Sequence, residues 1–404
     1  MSEENTTKEG ALSGVKVVDL STVIFGPYGS QILADLGADV IKVEGGTGDS
    51  MRMPGNTPTP GLGPIYLALN RNKRSLRLDL KKAEALEAMH KLLADADVFY
   101  TNVRKGGLER LGLGYDEISA INPGIVYVHC TGFGSDGPYG GKLAYDDVVQ
   151  AASGVTNLLS KVDGNPAPRY IPSVIADKTA GLHATYATLA GLFHKERTGK
   201  GQYIEVPMFE SFTSFHMIEN LYDHIFIPPR GNIAYDRSID PNRKPFQTKD
   251  GHISVVPYSP HHWQVIMNFG GIEDILEDPR FKTFEERTKN IGVLYGMVEE
   301  ITKTKTTDEW VKIMEEVGLP CMRVNKMEDV VHDEHLVATG FFEQREHPQV
   351  GPYYSMKHPV KFGGTPAGIR TDAPQLGEHN VEILSGLGYS DAEIEAILAK
   401  PEKP

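Results

Sequence analysis

Asp177 is the residue whose type and surroundings most suggest chemistry. It lies in the segment 176–181, where mostly small neighbours leave room beside the carboxylate. A carboxylate with an ordinary pKa of about 4 is ionised at neutral pH, so it can attack a carbonyl carbon without a separate base. An aspartate before a run rich in alanine and leucine is also a common helix cap. By itself, the local pattern favours the capping role.

Several common binding and catalytic motifs are missing from the sequence. No G-x-G-x-x-G follows the first predicted strand and no G-x-x-x-x-G-K-[ST] occurs, so neither a dinucleotide fingerprint nor a P-loop is present. The glycines around Ser135 lack the G-x-S-x-G frame that exposes a nucleophilic serine. The neighbouring histidines His261 and His262 have no carboxylates at ligand spacing. We therefore expect no metal site.

The composition is that of an ordinary globular protein. Hydrophobic residues make up 40% and charged residues 24% of the 404 residues, and a length of about 150 residues per domain predicts about two to three folding units. The formal net charge of −13 repels phosphate and so opposes nucleic-acid binding. The two cysteines, Cys130 and Cys321, exclude a disulfide framework and a four-cysteine zinc site. The sequence shows neither a membrane span nor a signal peptide, so we expect a cytoplasmic protein without a membrane partner.

Short β-branched runs alternate with helical patterns in the first half of the chain. Strands are predicted over 15–20, 40–43, 98–100, 125–128 and 203–206, with helical patterns over 28–36, 83–93, 115–121, 173–200 and 208–222. This alternation predicts the α/β fold class, with a mostly parallel sheet of Rossmann-like type. The composition changes near residue 225, and a hairpin signal at 249–251 followed by helical patterns predicts a smaller α+β unit. Further helices are predicted over 379–386 and 391–399, and a long loop over 45–64.

Several unusual local clusters occur in a distinctive order. They are the segments 25–28, 36–44, 70–81, 102–112, 131–134, 176–181, 194–202, 318–321 and 376–380. In this order and spacing the chain resembles the class III CoA-transferases, the family of formyl-CoA transferase and carnitine CoA-transferase. The same superfamily contains the α-methylacyl-CoA racemases. The resemblance extends from about residue 12 to the C-terminal helix.

The resemblance implies a fold and an assembly. It implies a large Rossmann-like CoA-binding domain formed by both chain ends, with a small α+β domain between them. We expect the N-terminal part of the large domain over 1–222, the small domain over 223–330, and a linker with the returning C-terminal part over 331–404. The resemblance also implies an interlocked homodimer, and a heteromer with a related subunit is the alternative.

The resemblance gives Asp177 the role of the family's nucleophile. It implies that Asp177 attacks the thioester of an acyl-CoA donor and then carries CoA as an aspartyl-CoA thioester, which the acceptor acid takes over. Tyr145 and Asp146 match the segment beside the substrate. Coenzyme A is a substrate and a product in this reaction, so no cofactor is implied.

A CoA site is also implied, position by position. Val23, Ile24 and Phe25 match the turn that holds the pantetheine and thioester end. The matches to contacts with the adenine nucleotide are Leu78, Lys81, Asn102 and Val103, with apolar contacts from Leu111 and Met208. Arg110 matches a residue that reaches the CoA phosphates. Formyl-CoA transferase has glutamine where Ile24 stands and arginine where Gly45 stands, so formyl-CoA with oxalate is not the expected pair.

Two alternative functions stay open. A racemase needs an acid and a base on opposite faces of the α-carbon, and Tyr145 stands where racemases have histidine; tyrosine, with a pKa of about 10, is a poor base. A non-catalytic acyl-CoA-binding subunit is the second alternative, although the nucleophilic aspartate is retained. Arg237, Arg243 and Lys244 would suit a second carboxylate on the acceptor, as in succinyl, mesaconyl or related dicarboxylic acids, and succinyl-CoA is the donor that we expect. An ordinary exposed loop explains these three cations equally well.

Overall fold

The computed structural model describes residues 10–399, so the ends of the predicted large domain, 1–9 and 400–404, lie outside the described residues. Its residues fall into two compact units. The first unit contains residues 10–153, 172–215 and 335–399, and the second contains 154–171 and 216–334. Each unit has a hydrophobic core of its own.

A parallel sheet of six strands organises the first unit. Its strands are β1 (Lys16–Leu20), β2 (Asp39–Glu44), β3 (Lys73–Arg77), β4 (Val98–Thr101), β5 (Val126–Thr131) and β6 (Gln202–Pro207). They lie in the order β3-β2-β1-β4-β5-β6, and every neighbouring pair is parallel. This is the doubly wound order, in which ligands bind outside the carboxyl ends of the strands where the winding reverses, here between β1 and β4. The prediction of a mixed α/β fold with a mostly parallel sheet is confirmed.

Seventeen α-helices lie within residues 10–399. They are α1 (Phe25–Asp35), α2 (Pro64–Leu69), α3 (Ala83–Ala94), α4 (Lys105–Arg110), α5 (Tyr115–Ile121), α6 (Asp146–Ser153), α7 (Val155–Asp163), α8 (Ile175–Thr198), α9 (Met208–Asn220), α10 (Asp236–Ile239), α11 (Pro260–Asn268), α12 (Phe284–Lys289), α13 (Ile291–Thr302), α14 (Thr307–Glu316), α15 (Glu334–Ala338), α16 (Asn380–Gly386) and α17 (Asp391–Leu398). Short 3-10 segments occupy Ser50–Arg52, Tyr222–Ile225, Ile275–Glu277 and Met327–His332. None of the helices within residues 10–399 combines the length and the apolar character that crossing a membrane requires.

The second unit contains a small antiparallel sheet. Its strands β7 (Phe246–Gln247), β8 (His252–Val255) and β9 (Cys321–Arg323) lie in sequence order. β7 pairs antiparallel with β8, which confirms the hairpin predicted at 249–251. Helices α11, α13 and α14 contribute Trp263, Leu294 and Trp310 to the core beside this sheet.

A hairpin in the first unit was not predicted. Strands β10 (Phe342–His347) and β11 (Gly351–Met356) pair antiparallel within the segment 331–404, where we predicted helices but no strand. Strand β3 was also missed. It carries Lys73, Arg74 and Arg77 in five residues, and both Lys73 and Ser75 are buried, so its inward face does not show the apolar pattern of a strand.

Helices α1 and α8 cross in close contact at two glycines. A Cβ atom at Gly29 would lie 3.0 Å from the carbonyl oxygen of Gly181, and one at Gly181 would lie 3.0 Å from the carbonyl oxygen of Phe25. Side chains at either position would push the helices apart. The crossing places the first turn of α1 beside the first turns of α8.

Candidate active site

Buried charges beside β1 pair with one another. The Nζ of Lys73 lies 3.1 Å from Asp19, and the Nζ of Lys42 lies 3.0 Å from Asp49; all four side chains are fully buried. Burial disfavours the ionised form of Asp19, but Lys73 and Lys42 outweigh it and hold its pKa below the ordinary value. The pairs therefore keep their charges inside the core, and they surround the turn that leaves β1.

That turn holds Val23 in an unusual backbone conformation. Its φ angle is 72°, which β-branched residues rarely adopt and which costs on the order of 1–3 kcal/mol. The Val23 N–H donates to Asp49 Oδ1 at 3.1 Å, while Asp49 Oδ2 accepts from Lys42 Nζ. Because Asp49 is anchored by a buried lysine, it fixes the path of the chain from β1 into α1. The strained residue follows the carboxyl end of β1, where ligand sites of this fold lie.

Asp177 lies in the first turn of α8 and does not cap the helix. It is the third helical residue and is 7% exposed. Oδ2 of Asp146, at the start of α6, accepts hydrogen bonds from the N–H groups of Ala176 at 2.7 Å and Asp177 at 3.0 Å. Gln150 Nε2 donates to the other oxygen of Asp146. The capping role that the sequence suggested for Asp177 therefore belongs to Asp146, which leaves the Asp177 carboxylate unused by the helix.

The pKa of Asp177 is raised to about 7, chiefly by burial and further by the nearby negative charge of Asp146, although a hydrogen bond from the Phe25 backbone opposes the rise. The expectation of an ordinary ionised carboxylate was wrong for this reason. Asp177 forms no ion pair with any side chain of residues 10–399. The N-terminal turn of α8 and the Phe25 backbone are the groups that favour its anion. A carboxylate in this setting titrates near neutral pH, as catalytic nucleophiles and bases often do.

A cavity of about 700 Å³ lies in the first unit at the carboxyl ends of β2 and β3. Of the residues that the sequence assigned to a CoA site, it brings together Leu78, Lys81, Arg110 and Leu111. Sequence reasoning missed the other lining residues: Gly45, Gly46, Arg77, Asp79, Leu80, Gly107, Asn380 and the C-terminal residues 397–399. Five of them had a usable signal, because they lie within the motif segments 70–81, 102–112 and 376–380: Arg77, Asp79, Leu80, Gly107 and Asn380.

The first cavity is positively charged. Arg77, Lys81 and Arg110 line it, and none of them forms an ion pair with a carboxylate of the described chain. Asp79 also lines it and accepts from the backbone N–H of Lys81 at 3.2 Å. Three cations against one carboxylate suit phosphate groups.

A second cavity of about 470 Å³ lies at the carboxyl ends of β4 and β5. It is lined by Val23, Asn102 and Tyr145 among the predicted residues. Asn102 fixes the turn after β1, since its Oδ1 accepts from the Thr22 N–H at 3.1 Å and its Nδ2 donates to the Thr22 carbonyl at 2.8 Å. Cys130 also lines the cavity, and burial raises the pKa of its thiol to about 12.

The remaining predicted residues lie elsewhere. Ile24 and Phe25 are buried at the start of α1, and the Phe25 backbone meets Asp177. Val103 packs against the core of the first unit, and Met208 is buried at the start of α9; neither lines the two cavities. Residues 10–399 contain no group of three or more His, Cys, Asp or Glu side chains that could hold a metal ion.

The comparisons with known proteins identify the class. Residues 12–380 match the family model described as CoA-transferase family III. The chain belongs to this family and is an enzyme of the family III CoA-transferase class.

Named relatives are similar over nearly the whole chain. The chain is 34% identical to an acyl-CoA transferase of Fusarium pseudograminearum, over 96% of this chain and 87% of that protein. It is 32% identical to the succinyl-CoA:glutarate CoA-transferase of Homo sapiens, over 96% of this chain and 89% of that protein. A crystal structure of an Asp-to-Ala mutant of Rv3272 from Mycobacterium tuberculosis matches with a TM-score of 0.82 at 29% identity, covering 94% of this chain and 99% of that one.

Proposed function

We propose that the chain moves CoA from an acyl-CoA donor to a carboxylic acid through an aspartyl-CoA thioester on Asp177. The observation that carries this proposal is the Asp177 carboxylate: it is buried, pairs with no cation among residues 10–399, and meets the Phe25 backbone in the first turn of α8. A buried anion without a partner is unfavourable for stability, so a role in chemistry accounts for its presence.

The proposed transfer needs no oxidant, reductant or metal. An Asp177 oxygen attacks the carbonyl carbon of the donor thioester, and the carbon–sulfur bond breaks. This step forms a mixed anhydride between Asp177 and the acyl group, and CoA leaves as a thiolate. The thiolate then attacks the aspartyl carbon of the anhydride, which releases the donor acid as a carboxylate and leaves CoA bonded to Asp177. The acceptor carboxylate repeats the two steps in reverse, so that acyl-CoA forms and the Asp177 carboxylate is regenerated.

The surroundings of Asp177 support both steps. Only the ionised carboxylate is nucleophilic, and a pKa of about 7 leaves a substantial ionised fraction at neutral pH. The high pKa also makes that anion more basic than an exposed aspartate. The Phe25 backbone and the N-terminus of α8 are placed to stabilise negative charge that develops on the aspartyl group.

The two cavities of the first unit suit the two ends of CoA. We assign the phosphates and the adenine nucleotide to the first cavity, because Arg77, Lys81 and Arg110 supply unpaired positive charge there. We assign the pantetheine and the thioester end to the turn after β1, with Val23 and Tyr145 at the second cavity.

For the acyl groups, we propose succinyl-CoA as donor and a carboxylic acid as acceptor. The human relative named succinyl-CoA:glutarate CoA-transferase supports this choice. Racemisation is disfavoured because Tyr145, which lines the second cavity, stands at the position where the racemases have a histidine.

We further propose an interlocked homodimer. Leu182, Tyr186 and Phe193 follow one another on one face of α8 and are 52%, 61% and 65% exposed. Large apolar side chains in such a row are typical of a surface that another chain covers. Light scattering on the purified chain tests this directly: a monomer at micromolar concentration would contradict it. A cytoplasmic location stays a prediction, which fractionation would test.

Trapping the covalent intermediate tests the proposed mechanism. The chain is incubated with succinyl-CoA and no acceptor, then treated with hydroxylamine or borohydride and digested. We expect modification of the peptide that contains Asp177, identified by mass. Asp177→Ala should carry no adduct while still binding CoA.

The same protein preparation tests the racemase alternative. A 2-methylacyl-CoA is incubated with the chain in deuterated water, and its mass is followed. We expect no deuterium at the α-carbon. Rapid α-deuteration without a trappable species at Asp177 would overturn the transferase mechanism in favour of racemisation.

A further inference from the structure

Two arginines of the second unit lie together without an acidic partner. Arg237 in α10 and Arg287 in α12 line one pocket of about 60 Å³. Among residues 10–399, neither guanidinium lies within ion-pair distance of a carboxylate. This is unexpected in a chain with a formal net charge of −13, where carboxylates are abundant. Two unpaired cations at one cavity predict an anionic ligand.

Neutral groups hold both guanidiniums in place. Arg237 Nε donates to the Tyr295 hydroxyl at 2.8 Å, and a second hydrogen bond joins Arg237 to Tyr235. Arg287 is 7% exposed, and its Nη1 donates to the carbonyl oxygens of residues 281–282 at 2.8 and 3.2 Å. These contacts orient the side chains without neutralising their charges. The pocket is therefore arranged before any ligand arrives.

Aromatic side chains line the rest of the pocket. Trp263 is 3% exposed, whereas Tyr258 and Phe284 are 68% and 65% exposed at its opening. A volume of 60 Å³ holds about four water-sized groups, which matches a carboxylate with one or two carbons attached. Aromatic walls beside paired cations suit an organic anion better than a strongly hydrated inorganic one.

We propose that this cavity, the arginine pocket, binds the carboxylate end of a small organic acid. The planar guanidinium fork matches the two oxygens of a carboxylate, and two such groups at one cavity hold it from two directions. The acid's short hydrocarbon part lies against Trp263 and Phe284. The inference does not depend on the chemistry of Asp177, which belongs to the first unit.

Titration with sodium succinate, followed by tryptophan fluorescence, tests the proposal on the full chain without CoA. Trp263 and Trp310 are the two tryptophans; Trp263 lines the pocket and Trp310 is fully buried in the core. We expect a saturable change in emission. Trp263→Phe should remove that change, while calorimetry on the same variant should still detect binding.

Arginine variants show whether the pocket is responsible. Arg237→Gln and Arg287→Gln should each weaken succinate binding by at least about tenfold. Arg287→Lys keeps the charge without the fork and should also weaken binding; it replaces the glutamine variant if that variant unfolds. Arg243→Gln is the matched control, because Arg243 is an exposed arginine of the same unit that does not line the pocket.

Several results would overturn the proposal. They are unchanged succinate affinity in Arg237→Gln and both Arg287 variants, an equal loss in Arg243→Gln, or equal binding of sodium sulfate or of uncharged dimethyl succinate. Binding that disappears in Asp177→Ala would place the acid at the first unit and would also overturn it. Retained binding in that variant, even with transfer abolished, supports a separate site.

Discussion

Buried carboxylates of the first unit fall into two groups with opposite electrostatics. Asp19 and Glu44 face buried cations, which outweigh the effect of burial and hold their pKa values below the ordinary range. Asp177 is similarly buried, but among the described residues the charged group that acts on it is another carboxylate, Asp146, and its pKa rises to about 7. The carboxylates on the strands are neutralised by buried cations, whereas the carboxylate in the first turn of α8 is not.

Whether a buried charge has a partner of opposite charge therefore helps to locate functional residues. Paired buried charges stabilise the turn after β1, whereas unpaired buried charges indicate a role in binding or catalysis. The same rule separates cations: Lys42 and Lys73 have buried carboxylate partners, while within residues 10–399 Arg110 at the first cavity and Arg237 at the arginine pocket have no carboxylate partner. Breaking each group in turn should affect a different property of the protein.

The largest effect should come from Asp177→Asn. This change keeps the size of the side chain but removes the nucleophile, so CoA transfer should fall by at least about 10³-fold. Steady-state assays with succinyl-CoA measure it. Asp147→Asn, at the exposed aspartate next to Asp146, is the control and should stay close to wild type. Retention of more than a few per cent of activity in the Asp177 variant would remove it from the nucleophile's role.

Asp19→Asn should instead reduce stability. It leaves the fully buried Lys73 without its carboxylate, and breaking such a pair costs about 3–5 kcal/mol. The free energy of unfolding in urea measures the effect. Asp39→Asn is the control, because the Asp39–Arg74 pair is partly exposed and should contribute less than about 1 kcal/mol. Equal losses in the two variants would show that burial does not separate the two classes of pair.

Asp177 should make the folded state less stable as pH rises, which is the opposite of the effect of a paired carboxylate such as Asp19. Its pKa of about 7 in the folded chain lies above the ordinary 3.8, so the folded state holds this proton more tightly than the unfolded state. Stability from this group is fully present below about pH 4 and is lost as pH rises through about 7. The loss corresponds to about 4 kcal/mol at most, because one pKa unit is about 1.4 kcal/mol.

Asp177→Asn has no such loss. Its melting temperature should therefore equal that of the wild type near pH 4 and exceed it by several degrees near pH 8, which calorimetry measures. The gain should appear between about pH 4 and pH 7 and stay constant above. A gain that is independent of pH would mean that the Asp177 charge is not the cause.

The smallest effect should come from the unpaired cations of the first cavity. Arg110→Gln should raise the KM for acyl-CoA by about tenfold with little change in kcat, because it removes one charge-assisted contact to phosphate. Lys200→Gln, at an exposed lysine outside that cavity, is the control. Added salt should raise the KM of the wild type more than that of Arg110→Gln, and equal salt dependence would place the phosphates elsewhere.

The sheet was largely predictable from the sequence because its central strands are apolar. The patterns at 40–43, 98–100 and 125–128 correspond to β2, β4 and β5, and the ends differ by a few residues at most. Strand β3 was not predicted because its residue Lys73 points into the core, where the pattern of a strand calls for an apolar side chain. A buried lysine is acceptable there only because Asp19 lies 3.1 Å away on β1, and no local pattern reports a partner that distant in sequence.

Some residues of the candidate site could be proposed from the sequence, but its electrostatics could not. Asp177 could be singled out from its small neighbours and from the family resemblance. Its capping partner Asp146 lies thirty-one residues earlier, and the hydrogen bond that joins them depends on how α6 and α8 meet. Arg77 and the C-terminal residues of the first cavity were missed because chain segments far apart in sequence converge there.

The buried thiol of Cys130 has a practical consequence for work with thioesters. A thiol whose pKa is about 12 is ionised in only about one molecule in 10⁴ at pH 8. Thiol–thioester exchange requires the thiolate, so an acyl group in the second cavity is not diverted onto the protein's own sulfur. For the same reason, any CoA that is lost to thioester hydrolysis during an assay can be counted with a colorimetric thiol reagent without a background from this cysteine in the folded enzyme.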